Sequence, residues 1–176
     1  MKMARDEEFR DYVLGHRGDL VRTATLFAAG NHHLAEDVVQ ATLTRLYVGW
    51  PAFQRVDNRR AYVRRAMVNA LIDEQRRPWR RERSTHDLPD RPAPEPATSA
   101  RVDQLNQALS ELPPRMRAAV VLRYFEDLSV ADTAEALGCS QGTVKSQTAR
   151  ALDKLRFLLE APPTVVTLAP ATPASC

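Results

Sequence analysis

The sequence predicts an all-α protein of two small helical domains joined by a proline-rich linker, and three observations predict it. Apolar residues recur at helical spacing through two blocks, about residues 5–83 and 102–160, and strand-like alternation persists in neither. Between the blocks, Pro89, Pro92, Pro94 and Pro96 stand among Ser, Thr, Asp and Ala. Each proline removes a backbone donor and fixes φ, so this stretch neither continues a helix nor enters a sheet. Within the second block, two serines and a glycine frame a pair of helices with almost nothing between them.

The bulk composition agrees with a globular protein: 176 residues, 27% charged and 44% apolar. No apolar run approaches the roughly 20 residues needed to cross a bilayer, so no membrane association is expected. The first ten residues are charged throughout and carry no apolar signal core. Cys139 and Cys176 are the two cysteines and imply no disulfide framework. A cytoplasmic location is expected on these grounds. Net charge is +3, but ten arginines face four acids between Arg55 and Arg83. A local cationic excess of that kind is the footprint of phosphate-backbone binding, although a solvated arginine-rich helix face has the same composition.

In the first block, Phe9, Val13, Leu20, Leu26 and Phe27 mark one helix. A second runs from about Leu34 to Trp50, where Pro51 helps end it. Ala35, Val39, Leu43, Leu46 and Trp50 form a continuous apolar stripe on it, and Glu36, Asp37, Gln40 and Thr44 lie on another face. A third helix is expected from about Arg60 to Arg77, stopping at Pro78. Residues 84–101 read as a flexible tether. In the second block Leu105, Leu109 and Leu112 mark a helix closed by Pro113-Pro114, and Met116, Ala119, Val120 and Tyr124 mark the next. Residues 161–176 hold four prolines and no charged side chain, and read as a disordered tail.

The most specific local signal lies between Ser129 and Leu155. Ser129 can cap the free amides of a helix over Val130–Leu137, with Asp132 three residues on. Gly138 can adopt the left-handed conformation that ends that helix, and Ser140 can cap the next. Only Cys139 separates the glycine from the new cap, so the two helices must cross steeply as a helix-turn-helix. Cys139 is expected to fill a small apolar gap in the turn. Ala134, Gly138 and Val144 have the spacing of that motif. On the second helix Val144, Thr148, Ala151, Leu152, Leu155 and Leu159 share an inward face, opposite Gly142, Lys145, Ser146, Ala149, Arg150, Asp153 and Arg156. The outer face begins with small or polar groups and carries cations, which suits a DNA major groove. Lys145 and Arg150 can bond guanine edges or phosphates, and the amides near Gln141–Thr143 can hold a phosphate at the helix N-terminus.

These residues resemble a known family. Leu112–Tyr124, Leu128–Ala134 and Gly138–Ser146 are similar to region 4 of extracytoplasmic-function (ECF) sigma factors. Ala35–Trp50 resembles their region 2.2, and Tyr62–Asn69 their region 2.4. The resemblance implies core RNA polymerase as partner, through its β′ clamp helices and β flap, together with promoter DNA and an anti-sigma factor. It assigns polymerase contact to Asp37, Gln40, Leu43, Leu46 and Trp50. It assigns the −10 element to Phe53, Arg60, Tyr62, Arg64, Arg65, Asn69 and Arg76, where cations, aromatic faces and an amide suit a melted strand. It assigns the −35 element to Gln141, Thr143, Lys145, Ser146, Ala149 and Arg150. The sequence departs from the family near Tyr62, where a tryptophan often stands, and Gln147 and Thr148 bring fewer cations to the second helix than is usual.

Two other functions fit parts of the sequence. A stand-alone regulator would use the first block for dimerisation or sensing. A metal hydrolase would use His32, His33, Glu36 and Asp37, but two ligands on one helix fall short of a site. No nucleophile elbow, phosphate loop or paired ligand motif occurs elsewhere. No catalytic residue, metal or cofactor is therefore expected.

Overall fold

A computed structural model describes residues 2–76 and 99–160. Every regular element among them is an α-helix: α1 (Lys2–Phe27), α2 (His32–Val48), α3 (Trp50–Phe53), α4 (Arg59–Arg76), α5 (Ala100–Ser110), α6 (Pro114–Tyr124), α7 (Val130–Leu137) and α8 (Gln141–Glu160). The expected tail and residues 84–98 of the expected linker lie outside the described residues. Helix α5 already begins at Ala100, so the last two positions read as linker are helical.

Local chemistry sets most boundaries in the first domain. Asn31 caps α2 by accepting from the Leu34 amide at 3.0 Å. Gly49 ends it, donating to the Arg45 carbonyl at 2.9 Å. Trp50 therefore opens the short helix α3 rather than closing α2, because Pro51 is well placed in a first helical turn. Helices α2 and α4 pack together with α1 across α2. Leu20, Phe27, Val38, Val39, Leu46, Phe53, Met67 and Leu71 bury their side chains there.

In the second domain, Leu109, Leu112, Val120, Val121 and Leu122 meet Ala134, Leu137, Val144, Ala151 and Leu155 from the last two helices. Cys139 is half-buried against this cluster, as the apolar-gap reading expected. Leu159 is 39% exposed, so the inward face of α8 ends one turn earlier than its wheel suggested.

The two domains also pack on each other. Helix α4 lies against α7, and α1 against α6. The Asn106 side chain closes over the turn at Gly30, where an added Cβ would stand 2.7 Å from Asn106 Nδ2 and φ is +82°.

Candidate nucleic-acid interface

The turn between α7 and α8 is built as its residues dictate. Ser129 Oγ accepts from the Asp132 amide at 3.0 Å and donates to Asp132 Oδ2 at 2.6 Å. Gly138 sits at φ +61°, ψ +44°, and its amide donates to the Glu135 carbonyl at 3.2 Å. The Cys139 amide donates to the Ala134 carbonyl at 3.0 Å, closing the helix end. Ser140 Oγ then accepts from the Thr143 amide at 3.1 Å and starts α8. An added Cβ at Gly138 meets nothing within 4 Å, so only the backbone requires glycine there. Gly138→Ala is expected to cost about 1–2 kcal/mol of stability, measured by thermal unfolding. Gly138→Asn should cost clearly less, since asparagine tolerates the left-handed region.

With the turn fixed, α8 turns Val144, Thr148, Ala151 and Leu155 inward. Gln141, Lys145, Ser146, Ala149 and Arg150 all face solvent. Ser146 Oγ donates to the Thr143 carbonyl at 3.0 Å, and as an exposed hydroxyl it can still accept. Thr143 is half-buried, with its hydroxyl on Ser140 Oγ at 2.9 Å. Five of the six residues assigned to −35 recognition thus share one open surface, and Thr143 serves the cap beside it.

The residues assigned to the −10 element divide. Tyr62, Arg65, Asn69 and Arg76 line one groove of about 490 Å³ along α4. Arg45 and Arg115 line it too, two cations that the sequence did not single out. They lie on α2 and α6, so only the packing of three helices brings them to α4. Arg45 is paired there with Asp73. Phe53 does not join this groove. It is 1% exposed, in an aromatic cluster with Tyr12 at 5.3 Å, Trp50 at 5.2 Å and Tyr62 at 5.6 Å between ring centres. Its assignment to a DNA strand is corrected to a core role. Tyr62 keeps one side in that cluster and is only half-buried, with its other side on the groove.

Arg64 is also not free. Its Nε and a terminal nitrogen donate to Glu126 Oε2 at 2.8 and 2.6 Å, and its side chain is 9% exposed. Arg60 donates to the Glu126 backbone carbonyl, and its guanidinium lies 3.4 Å from Glu126 Oε2. In this conformation Arg64 belongs to the contact between the domains and is not an open DNA ligand. Beside it, burial pushes the Tyr12 hydroxyl above the usual tyrosine range, an effect opposed by Arg64 and Arg59.

The polymerase assignment needs a similar correction. Asp37 and Gln40 are exposed on α2, but Leu43, Leu46 and Trp50 are buried. Trp50 stacks edge-on with Phe9 at 5.2 Å and Tyr12 at 5.4 Å, tying α3 to α1. An apolar stripe at helical spacing packs on its own domain before it meets a partner. The open side of α2 instead carries Asp37, Gln40, Thr44 and Val48. Val48 is 72% exposed and is not among the residues the resemblance assigned to polymerase. Its signal was there: one apolar residue continuing the polar row 40-44-48 at steps of four.

The His32–Asp37 stretch gains no third ligand, since among the described residues no three His, Cys, Asp or Glu side chains converge as a metal site would require. No described helix is long and apolar enough to cross a membrane.

The geometry so far is that of an all-α helix-turn-helix protein with a cationic groove on a second domain. Comparison with known proteins gives the class a family. Residues 13–81 match the family model for sigma-70 region 2, and residues 103–155 that for sigma-70 region 4. The chain is 37% identical over 155 residues to the RNA polymerase sigma-E factor of Streptomyces coelicolor, covering 85% of this chain and 84% of that one. It is 33% identical over 162 residues to the ECF RNA polymerase sigma factor SigM of Mycobacterium tuberculosis, covering 90% and 78%. Among solved structures, the sigma factor RpoE in co-crystal with the anti-sigma factor NepR, from Bartonella quintana, aligns with a TM-score of 0.70 at 26% identity, over 88% of this chain and 98% of that one. The chain belongs to the ECF-type RNA polymerase sigma factors of the sigma-70 family. That membership favours a sigma factor over a stand-alone regulator, and sigma factors are transcription initiation factors rather than enzymes.

Proposed function

We propose that this sigma factor binds core RNA polymerase through the open side of α2, reads the −35 element with α8, and holds the melted −10 strand along α4. The observation that carries this reading is the free face of α8, with Lys145, Ser146, Ala149 and Arg150 presented behind a fully capped turn. A helix so presented can enter a major groove, with Lys145 and Arg150 donating to base edges or phosphates. The groove of Tyr62, Arg65, Asn69 and Arg76 has the cations and aromatic edge that a single strand requires. Asp37, Gln40 and Val48 offer the mixed polar and apolar contact typical of a protein interface.

No bond chemistry is assigned to the chain, because strand opening is driven by binding energy in the holoenzyme. It acts in the cytoplasm, beside polymerase and DNA. An anti-sigma factor is a further expected partner, supported by the relative crystallised with one. The test is transcription in vitro with purified core polymerase and candidate genomic promoters. Specific transcripts that depend on this protein are expected, and their absence from every candidate promoter would defeat the reading.

A further inference from the structure

Glu126 is a buried carboxylate that neither promoter contact uses. It leaves α6 at the turn toward α7 and reaches the first domain, where three donors converge on it. Arg64 makes the close fork described above, Arg60 lies at the outer edge, and Thr23 of α1 donates its hydroxyl to Oε1. Its side chain is 11% exposed. A second polar contact stands beside this cluster, with Asn58 Nδ2 donating to Asp132 Oδ1 at 3.0 Å. Arg60 and Arg64 stand at the start of α4, the helix read above as the strand-binding one.

We propose that Glu126 is an internal stand-in for a DNA phosphate, clasping Arg60 and Arg64 so that the second domain covers part of α4 until the domains separate. A guanidinium pairs with a carboxylate and with a phosphate through the same forked geometry, so the two acceptors compete for one site. Removing one member of a buried pair leaves the other charge uncompensated, which makes the closed arrangement sensitive to this one carboxylate. The device is selective. Lys145, Ser146, Ala149 and Arg150 stay exposed in the closed form, so duplex reading is left open while strand binding is restrained. In the free chain the apparent affinity for the strand is reduced by the fraction of molecules that are open. The proposal rests on the reading of α4 as the −10 helix.

The test uses the full chain labelled for distance measurement at Arg17→Cys and Asp153→Cys, both exposed, with Cys139 and Cys176 replaced by serine. Glu126→Gln is nearly isosteric and should raise the open-to-closed ratio about tenfold or more. Binding of a single-stranded −10 oligonucleotide should tighten by a similar factor while the closed form still predominates, and −35 duplex binding should stay unchanged. Asp127→Asn makes the same charge change one residue away, at an exposed site with φ +53° that asparagine tolerates. It should alter neither readout. Should Glu126→Gln fold poorly, Thr23→Val removes one donor to the carboxylate without a charge change and should open the chain to a smaller extent. An unchanged distance distribution in the folded Glu126 or Thr23 variant overturns the latch. An opened chain with unimproved strand affinity overturns the phosphate mimicry, as does an Asp127→Asn variant that matches Glu126→Gln. Core-dependent transcription tests the reading of α4 separately, since the distance measurement needs neither DNA nor polymerase.

Discussion

Trp50→Ala is expected to destabilise the first domain by about 3–5 kcal/mol, the usual cost of deleting a buried tryptophan. Its ring is 4% exposed and sits among Phe9, Tyr12 and Phe53, so the truncation opens a cavity beneath α3. For a chain of this size that is a fall in melting temperature of roughly 10 °C or more. The same substitution was expected from family resemblance to remove a polymerase contact, and thermal unfolding separates the two roles. Loss of polymerase binding at an unchanged melting temperature would restore Trp50 to the interface. The complementary variant is Gln40→Ala, whose side chain is exposed on α2. It should leave the melting temperature unchanged and weaken association with core polymerase, measured by competition for core with a labelled copy of this chain.

The second large effect is expected on the recognition helix. Lys145→Ala and Arg150→Ala together should reduce promoter-specific initiation by about thirtyfold or more, since each well-formed base contact contributes about 1–3 kcal/mol of discrimination. Both side chains are exposed and neither supports the core of α8, so stability should be unaffected. Steady-state transcript yield at two salt concentrations tells their roles apart. A residue on a phosphate weakens binding to all sequences and flattens the salt dependence, whereas one on a base edge alters sequence preference. Unchanged initiation in the double variant would exclude this face as the −35 reader.

The helix-turn-helix was legible because everything that builds it is local. Ser129, Gly138 and Ser140 act within a few residues of their own position, through caps and one left-handed backbone. The inward and outward faces of α8 follow from helical periodicity, with Leu159 the one residue on the wrong side, at the last turn where packing runs out. The regions of resemblance in the first domain were legible for a different reason, since the family pattern supplied what periodicity could not. Periodicity says that Leu43, Leu46 and Trp50 share a face, but gives no sign of what covers it. The resemblance offered polymerase, and the observed cover is the protein's own helices, with α1 and α4 packed on α2 and Phe9 and Tyr12 of α1 on Trp50.

By itself, then, the sequence determined the helical class, the helix ends marked by Ser129, Gly138 and Ser140, and the outward residues Lys145, Ser146, Ala149 and Arg150 on α8. These depend on interactions between residues at most a few positions apart. Only the tertiary structure decided which assigned residues are free. Phe53 is consumed by an aromatic cluster, Arg64 is held by a carboxylate 62 positions along the chain, and Arg115 joins α4 from the second domain. Val48 emerges as the exposed apolar residue of α2 only when its neighbours are packed away. The reason is physical: a side chain's charge and shape are properties of the residue, but its burial and its partner are set by segments the chain brings together from far apart. In the case of Arg64 that distant partner is Glu126, which makes the guanidinium part of the contact between the domains.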